Sequence, residues 1–265
     1  MIEIKGVEKV YPGGTVALAG ISLSIPNGQF VSLLGPSGCG KSTLLSMIAG
    51  LDKPTAGTIE VSGSPGVVFQ EAALFPWRSI RENVALGLEL RGIGKAERRA
   101  LAGDALKMVH LSRFAEAYPH QLSGGMRQRA AIARALILDP ALLLMDEPFG
   151  ALDAQTRSLL QTELLAVWER TRKTVVFVTH SLDEALQLSD RVILLSARPG
   201  RIVADLRIDA PRPRDPIRDS ALGGLRDRLA ALLAAEVAAV AAAEYDDAPP
   251  APVRRVLEEE AGTGI

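Results

Sequence analysis

The chain has 265 residues, 48% of them hydrophobic and 23% charged, which is the composition of an ordinary globular protein with one large domain or two small ones. A formal net charge of −1 gives no support to attraction of the whole molecule to nucleic acid or anionic lipid. The single cysteine, Cys39, excludes an intrachain disulfide and favours a reducing compartment. We expect neither a secretory signal nor a membrane helix, because the first residues lack a basic and apolar leader and no stretch approaches roughly 18 apolar residues.

The N-terminal part of the sequence predicts β-structure. Apolar residues at loose strand spacing occur over residues 2–10, and strict alternation over residues 21–25 ends at a Pro-Asn-Gly turn. The apolar run of residues 30–34 predicts a buried strand. Two further short strands are predicted at residues 58–61 and 67–69, and the second is followed directly by Gln70.

The pattern G-x-x-x-x-G-K-S follows the strand at residues 30–34. Its residues are Gly35, Pro36, Ser37, Gly38, Cys39, Gly40, Lys41 and Ser42. Helical spacing over residues 42–49, closed by Gly50, completes the strand–loop–helix context of a P-loop. Backbone amides and the positive end of the helix predict a phosphate site, with Lys41 on the β- and γ-phosphates and the Ser42 hydroxyl on Mg²⁺. The alternative is a glycine-rich turn with a surface lysine.

Helices and strands then alternate in two blocks. Residues 72–136 have helical spacing and predict a helical subdomain inserted into an α/β core. Continuous apolar runs at residues 141–145, 174–178 and 191–195 predict buried parallel strands, separated by helices near residues 156–170 and 182–188. This alternation predicts an α/β fold with a mainly parallel sheet covered by helices.

The composition shifts after Ser220, so we expect a domain at residues 1–220 and a tail at residues 221–265. Residues 225–244 are rich in Ala and Leu and predict a helix. Residues 245–252 are rich in Asp, Ala and Pro and predict a linker or disorder. Residues 253–265 receive no predicted fold.

Two acidic residues and a glycine-rich segment complete the candidate chemistry. Asp146 and Glu147 follow a buried strand, at the sheet edge where ligands bind in open α/β folds. We expect Asp146 to hold Mg²⁺ through a water and Glu147 to orient and deprotonate an attacking water. The alternative is that both acids cap the strand in solvent. The segment Ser123-Gly124-Gly125 precedes a helix and predicts a second anion site.

Taken in this order over residues 1–200, the motifs resemble those of the ABC transporter ATPase family. The resemblance implies a P-loop NTPase ABC ATPase fold, with a mainly parallel sheet core, an N-terminal antiparallel β-subdomain and an inserted helical subdomain. It implies ATP and Mg²⁺ as cofactors and ATP hydrolysis as the activity. Tyr11 matches the aromatic residue that stacks on adenine, the P-loop extends to Thr43, and Gln70 matches the glutamine that ligates Mg²⁺ and joins the two subdomains.

The resemblance also implies a homodimer. The family signature is Leu122–Met126, and ATP would be sandwiched head to tail between one P-loop and the Ser123-Gly124-Gly125 segment of a second subunit. Asp153 matches the loop that crosses the dimer interface, and His180 matches the switch histidine that contacts the γ-phosphate. The other two histidines, His110 and His120, receive no functional role.

A finer resemblance is to the nitrate, sulfonate and taurine importer ATPases, carried by residues 68–79, 88–92 and 211–214. It implies a membrane permease as partner, a solute-binding protein as indirect partner, no nucleic acid, and a peripheral location on the cytoplasmic face of the cell membrane. Phe75 and Trp77 are expected to line a groove for a permease helix, and Leu74 to pack against the helical subdomain. The alternatives are a soluble ABC ATPase without a membrane partner, in DNA repair or on the ribosome, and a P-loop small-molecule kinase.

Overall fold

Residues 1–246 are described by the computed structural model, and nine β-strands in this part of the chain form two sheets. The strands are β1 (Ile2–Val10), β2 (Val16–Ile25), β3 (Phe30–Leu34), β4 (Ala56–Val61), β5 (Gly66–Val68), β6 (Leu142–Asp146), β7 (Thr174–Val178), β8 (Arg191–Leu195) and β9 (Ile202–Arg207). The smaller sheet has the antiparallel order β2-β1-β4. The larger has the order β5-β6-β7-β3-β8-β9, parallel except for β9.

Seven α-helices connect and cover the strands of the described residues. They are α1 (Lys41–Ile48), α2 (Ile80–Leu90), α3 (Lys95–Met108), α4 (Gly124–Leu136), α5 (Ala154–Thr171), α6 (Leu182–Leu188) and α7 (Ser220–Asp246). Short 3-10 helices at Ser112–Phe114 and Pro119–Gln121 lie between α3 and α4. None of the helices within residues 1–246 combines the length and hydrophobicity needed to cross a bilayer.

The parallel sheet is buried on both faces, which explains why its strands are continuous apolar runs. Every residue of β3, β6 and β7 is buried. Successive side chains point to opposite faces, so Phe30 and Phe177 pack with the helices α2 to α5, whereas Val31 and Val178 pack with α1 and the antiparallel sheet. The carboxyl ends of these strands therefore lie at the same edge of the sheet, and the P-loop follows β3 at that edge.

The helical segment between β5 and β6 has its own entry signals. Ser79 caps α2 by accepting a hydrogen bond from the Glu82 amide, and the Glu82 carboxylate accepts from the Ser79 amide. Helices α2, α3 and α4 pack on one another and bury Ile80, Val84 and Leu106. The segment before α2 is hydrogen-bonded to both neighbouring helices, to α4 through Gln128 and to α2 through Asn83.

The predicted fold class is confirmed, including the antiparallel N-terminal sheet and the mainly parallel core. One strand, β9, was not predicted, because an edge strand with only one fully buried residue has a weak hydrophobic pattern. Helix α7 extends to Asp246, two residues into the predicted linker, so the expectation of a linker from residue 245 is wrong at those two positions. The rest of the predicted linker and residues 253–265 lie outside the described residues.

Candidate nucleotide site

The P-loop runs from β3 to α1 and has the strand–loop–helix geometry that its sequence requires. Gly40 stands directly before α1 with φ of 101°, a conformation that L side chains rarely adopt. A Cβ there would also lie 2.6 Å from a methyl carbon of Leu18. Glycine at this position lets the loop turn sharply and directs the amides at the start of α1 toward one concave surface.

Lys41 is folded back across the loop. Its ammonium donates hydrogen bonds to the backbone oxygens of Gly35 and Pro36, both at 2.8 Å, and only 5% of the residue is exposed. The ammonium also lies 3.7 Å from the Cys39 sulfur, and none of these three partners carries a full negative charge. A nearly buried cation without a charged partner is a strong attractor for a phosphate group. The loop thus holds a positive charge in place before any anion arrives.

Ser42 and Asp146 meet beside the loop. The Ser42 hydroxyl donates to Oδ1 of Asp146 at 3.0 Å, and Asp146 is 8% exposed. Burial raises the pKa of Asp146, with a further rise from the neighbouring Glu147 and opposition from Ser42 and Lys41. A buried carboxylate next to a hydroxyl provides the hard oxygen donors that Mg²⁺ prefers, and one such carboxylate is usual where phosphates supply other ligands. The residues therefore fit a Mg²⁺ ion.

Glu147, Gln70 and His180 form the other side of the site. Oε2 of Glu147 lies 3.2 Å from Nδ1 of His180 and 3.5 Å from Nε2 of Gln70. The Glu147 backbone has φ of 42°, an uncommon conformation for a non-glycine residue that is often found at functional sites. Gln70 and Glu147 also line the cavity over the P-loop, and His180 adjoins them through Glu147.

A cavity of about 480 Å³ lies over the P-loop. Tyr11 lies at its rim with 39% of its surface exposed, and its hydroxyl is 3.3 Å from Oγ1 of Thr43. The residues that line the cavity are Tyr11, Thr15, Ala17, Ser37, Gly38, Gly40, Lys41, Ser42, Thr43, Gln70, Glu147 and Arg198. The cavity thus combines an exposed aromatic ring with a buried lysine, which suit the base and the phosphates of a nucleotide.

Nine predicted site residues do not line this cavity. Five of them lie beside it: Gly35, Pro36 and Cys39 belong to the P-loop, Asp146 accepts a hydrogen bond from Ser42, and His180 contacts Glu147. The other four are Ser123, Gly124, Gly125 and Asp153. Ser123 caps α4 by accepting from the Met126 amide at 3.3 Å, while Gly124 lines a neighbouring cavity and Gly125 packs near Leu152. Asp153 caps α5, accepting from the Thr156 amide at 2.9 Å. The hydrogen bonds from Thr156 lower the pKa of Asp153. Within one chain, none of these four residues lines the cavity over the P-loop.

The sequence around Cys39 leaves two interpretations open. A thiol among inward-pointing amides at a helix start would have a lowered pKa and react readily, or Cys39 is a small residue that fits the turn. In the structure, Cys39 is 1% exposed and burial raises the pKa of its thiol, outweighing the opposite effect of Lys41. The structure therefore favours the second interpretation, in which Cys39 is a small buried residue that fits the turn.

Two residues of α4 hold the segment around Gln70, and sequence reasoning missed both. Nε2 of Gln128 donates to the Phe69 carbonyl at 2.9 Å, and Gln128 is 2% exposed. The Arg134 guanidinium donates to the carbonyls of Ala72 and Ala73 at 2.9 and 2.7 Å. The spacing of these two residues in α4 does not indicate this role, because their partners are backbone carbonyls that only the tertiary structure brings close to the helix. Arg198, which lines the nucleotide cavity, was also missed.

The sequence matches the ABC transporter family over residues 18–150, half of the chain. An uncharacterised ABC transporter ATP-binding protein of Methanocaldococcus jannaschii is 53% identical over 225 residues, covering 81% of this chain and 84% of that protein. A taurine import ATP-binding protein of Burkholderia pseudomallei is 50% identical over 208 residues, covering 76% of this chain and 80% of that protein. A bicarbonate transport ATP-binding protein of Synechococcus elongatus is 49% identical over 228 residues, covering 80% of this chain and 34% of that longer protein.

The fold is shared with solved ATP-binding cassettes. A dimeric cassette in a post-hydrolysis state, bound to ADP and Pi, is 37% identical with a TM-score of 0.75, covering 80% of this chain and 100% of that chain. The predicted resemblance to the nitrate, sulfonate and taurine importer ATPases is confirmed by the taurine and bicarbonate relatives. Sequence identity, family match and fold agree with the site geometry, and together they show that this chain belongs to the ABC transporter ATP-binding family and is an ATPase.

Proposed function

We propose that this chain is the ATP-hydrolysing subunit of an importer for nitrate, sulfonate, taurine or a related small solute. The observation that carries the proposal is the identity of 49–50%, over at least 76% of this chain, to proteins named for bicarbonate transport and taurine import. A separate membrane permease and a solute-binding protein would select the solute. The subunit would sit peripherally on the cytoplasmic face of the membrane through its contact with the permease.

ATP would lie in the cavity over the P-loop, with its base against Tyr11 and its phosphates on the loop residues 35–43. Lys41 would exchange its two carbonyl partners for β- and γ-phosphate oxygens, which are charged and therefore stronger acceptors. Ser42, Asp146 and Gln70 would hold Mg²⁺. When bound, Mg²⁺ neutralises phosphate charge and orients the phosphates.

Glu147 is proposed as the general base. Its carboxylate would accept a proton from a water molecule while the water oxygen forms a bond to the γ-phosphorus and the bond to ADP breaks. His180, 3.2 Å from the same carboxylate, would orient it and contact the γ-phosphate. Gln70 would ligate Mg²⁺ only when its loop is drawn toward the P-loop. In the structure its amide nitrogen lies 3.5 Å from Oε2 of Glu147.

A head-to-tail homodimer is proposed to complete the site. Ser123, Gly124 and Gly125 present a helix N-terminus but lie outside the nucleotide cavity of their own chain. A second subunit would offer the same segment to the γ-phosphate, so ATP would hold the dimer together and hydrolysis would release it. Two solved cassettes that share this fold with a TM-score of 0.75 are both described as dimeric, which supports this arrangement.

The segment after Gln70 offers a route from nucleotide to permease. It is held on one side by Gln128 and Arg134 of the signature helix α4. On the other side, the buried Asn83 accepts from the Phe75 amide at 2.7 Å and donates to the Phe75 and Arg78 carbonyls. Movement of α4 on dimer closure would therefore move the segment that carries Trp77 as one unit.

Trp77 is proposed as the anchor for a permease helix. It is 71% exposed, stands 5.4 Å from the Phe75 ring, and lines a groove of about 310 Å³ on the helical side of the molecule. Ion pairs connect the side chains that line the groove. For example, Nη1 of Arg78 lies 2.8 Å from Oε2 of Glu89. An exposed aromatic residue in a groove with a charged rim is typical of a binding surface. Leu74, by contrast, is partly buried against the helical core.

The test is Trp77→Ala, with Phe114→Ala as a matched control. Phe114 is an aromatic residue with 41% exposure in the same helical region, but it does not line the groove. Loss of a buried anchor at an interface costs about 2 kcal/mol or more, which is roughly a 30-fold loss of affinity. We expect Trp77→Ala to keep the ATPase activity of the isolated subunit and to lose co-purification with the permease and solute uptake.

Each other outcome has a clear meaning. Normal uptake and co-purification by Trp77→Ala would refute the groove assignment. Failure of the wild-type subunit to co-purify with any permease would favour the soluble ATPase. Equal losses in Trp77→Ala and Phe114→Ala would point to general destabilisation of the helical region.

A further inference from the structure

The loop between β8 and β9, residues 196–201, packs directly against the P-loop. Gly200 accepts a hydrogen bond from the Ala19 amide at 3.0 Å and donates to the Ala17 carbonyl at 2.9 Å, so the loop is bound to β2. A Cβ on Gly200 would collide with the carbonyl oxygen of Cys39. Close contact between the two backbones is therefore built into the fold and depends on glycine at this position.

Arg198 reaches from this loop to the tip of the P-loop. Its Nε and Nη2 both donate to the Gly38 carbonyl, each at 3.2 Å, and its side chain lines the nucleotide cavity. The other end of the same peptide unit is the Cys39 amide, which donates to the Pro36 carbonyl at 3.4 Å. Because a trans peptide is planar with its oxygen and hydrogen on opposite sides, fixing the Gly38 oxygen also fixes the direction of the Cys39 amide.

The C-terminal helix α7 holds the residue before Arg198. Oε2 of Glu236 accepts from the Ala197 amide at 2.8 Å. Helix α7 is itself anchored by Leu222 and Leu229, which are buried against α6 and β8. Ser196 further stiffens the loop, since its hydroxyl accepts from the Arg201 amide at 2.9 Å. A chain of contacts thus leads from α7 through Ala197 and Arg198 to the P-loop.

We propose that Arg198 is a positioning residue for ATP binding, and that Glu236 of α7 keeps Arg198 in place. The guanidinium holds the Gly38 peptide so that the tip of the P-loop is already in its phosphate-binding shape before the nucleotide arrives. Ordering a glycine-rich loop costs conformational entropy, and a loop ordered in advance avoids that cost during binding. The Ala-rich helix therefore serves the nucleotide site, although it follows all of the family motifs in the sequence.

Cys39 provides a direct report on this loop, because it is the only cysteine of the chain and is 1% exposed. Labelling of its thiol requires the P-loop to open locally. We expect Arg198→Ala to raise the nucleotide-free labelling rate about fivefold and the KM for ATP about threefold to tenfold, with kcat changed less than about twofold. A pure change in KM is the signature of lost binding that is equal in the ground and transition states.

Three further variants make the test specific. Glu236→Ala should reproduce both effects at smaller size, whereas Glu236→Gln keeps an acceptor oxygen for the Ala197 amide and should restore the wild-type values. Arg201→Ala removes an exposed cation from the same loop that does not line the cavity, and should change neither value. Thermal unfolding of each variant without nucleotide identifies any loss that comes from the fold as a whole.

The proposal is overturned if Arg198→Ala leaves both the labelling rate and the KM unchanged. A raised KM with unchanged labelling would also overturn it and would make Arg198 a direct phosphate ligand. Faster labelling with an unchanged KM would show that order in the loop does not contribute to ATP binding, and this too contradicts the proposal.

Discussion

Glu147→Gln is the sharpest test of the proposed chemistry. The substitution replaces the carboxylate by a carboxamide of nearly the same size. The side chain therefore still fills its place directly after β6. Glu147 is held by its backbone, whose amide donates to the Val178 carbonyl at 3.0 Å, and this bond is independent of the side chain. We therefore expect the fold and the phosphate site around Lys41 to survive the change.

The loss should fall on the chemical step. An amide does not accept a proton from water at neutral pH, and general-base catalysis contributes about 10²- to 10⁴-fold. That range corresponds to about 2.7–5.5 kcal/mol of transition-state stabilisation. The variant also loses the carboxylate that faces Nδ1 of His180 at 3.2 Å, so we expect kcat to fall by at least about 100-fold while ATP affinity is retained.

The assay combines turnover, equilibrium ATP binding and size-exclusion chromatography with MgATP. Glu147→Gln should elute as an ATP-bound dimer, because the bound nucleotide is no longer hydrolysed. Glu71→Gln is the matched control, since Glu71 is an exposed acid next to Gln70 and does not line the nucleotide cavity. Near-normal turnover in Glu147→Gln would refute its role as the base, and loss of ATP binding would show that the side chain is needed for the fold of the site.

Two further predictions concern ionisable groups. Because burial raises the pKa of the Cys39 thiol, a thiol reagent should react slowly with the wild-type protein at neutral pH. We also expect the Cys39→Ala variant to keep most of its ATPase activity. Rapid labelling of the wild type together with inactivation would contradict this prediction. Burial also raises the pKa of Glu184 above its ordinary value of 4.5, although a hydrogen bond from Thr179 opposes the rise. The folded state therefore binds this proton more tightly than the unfolded state, and the resulting stability is present below about pH 4.5 and is lost as pH rises through the folded pKa. In urea unfolding between about pH 4 and pH 8, the wild type should lose stability relative to Glu184→Gln as pH rises, and a difference independent of pH would refute the assignment.

The sequence by itself determined the family and much of the site. The P-loop pattern, the acids after a buried strand and the order of the motifs require only local spacing, and local spacing is visible in a sequence. The central strands were equally visible, since a parallel strand buried on both faces must be a continuous apolar run. The same local signals predicted that Lys41, Asp146 and Glu147 would meet at one edge of the sheet.

Only the tertiary structure decided the contacts that depend on distant backbone atoms. Arg198 donates to a carbonyl 160 residues earlier, and Gln128 to one 59 residues earlier, so neither side chain had a local pattern that marked its role. The character of the Cys39 thiol was undecided for the same reason. The sequence showed the loop amides and the helix start, which lower a thiol pKa, but only the packed fold revealed the burial that raises it.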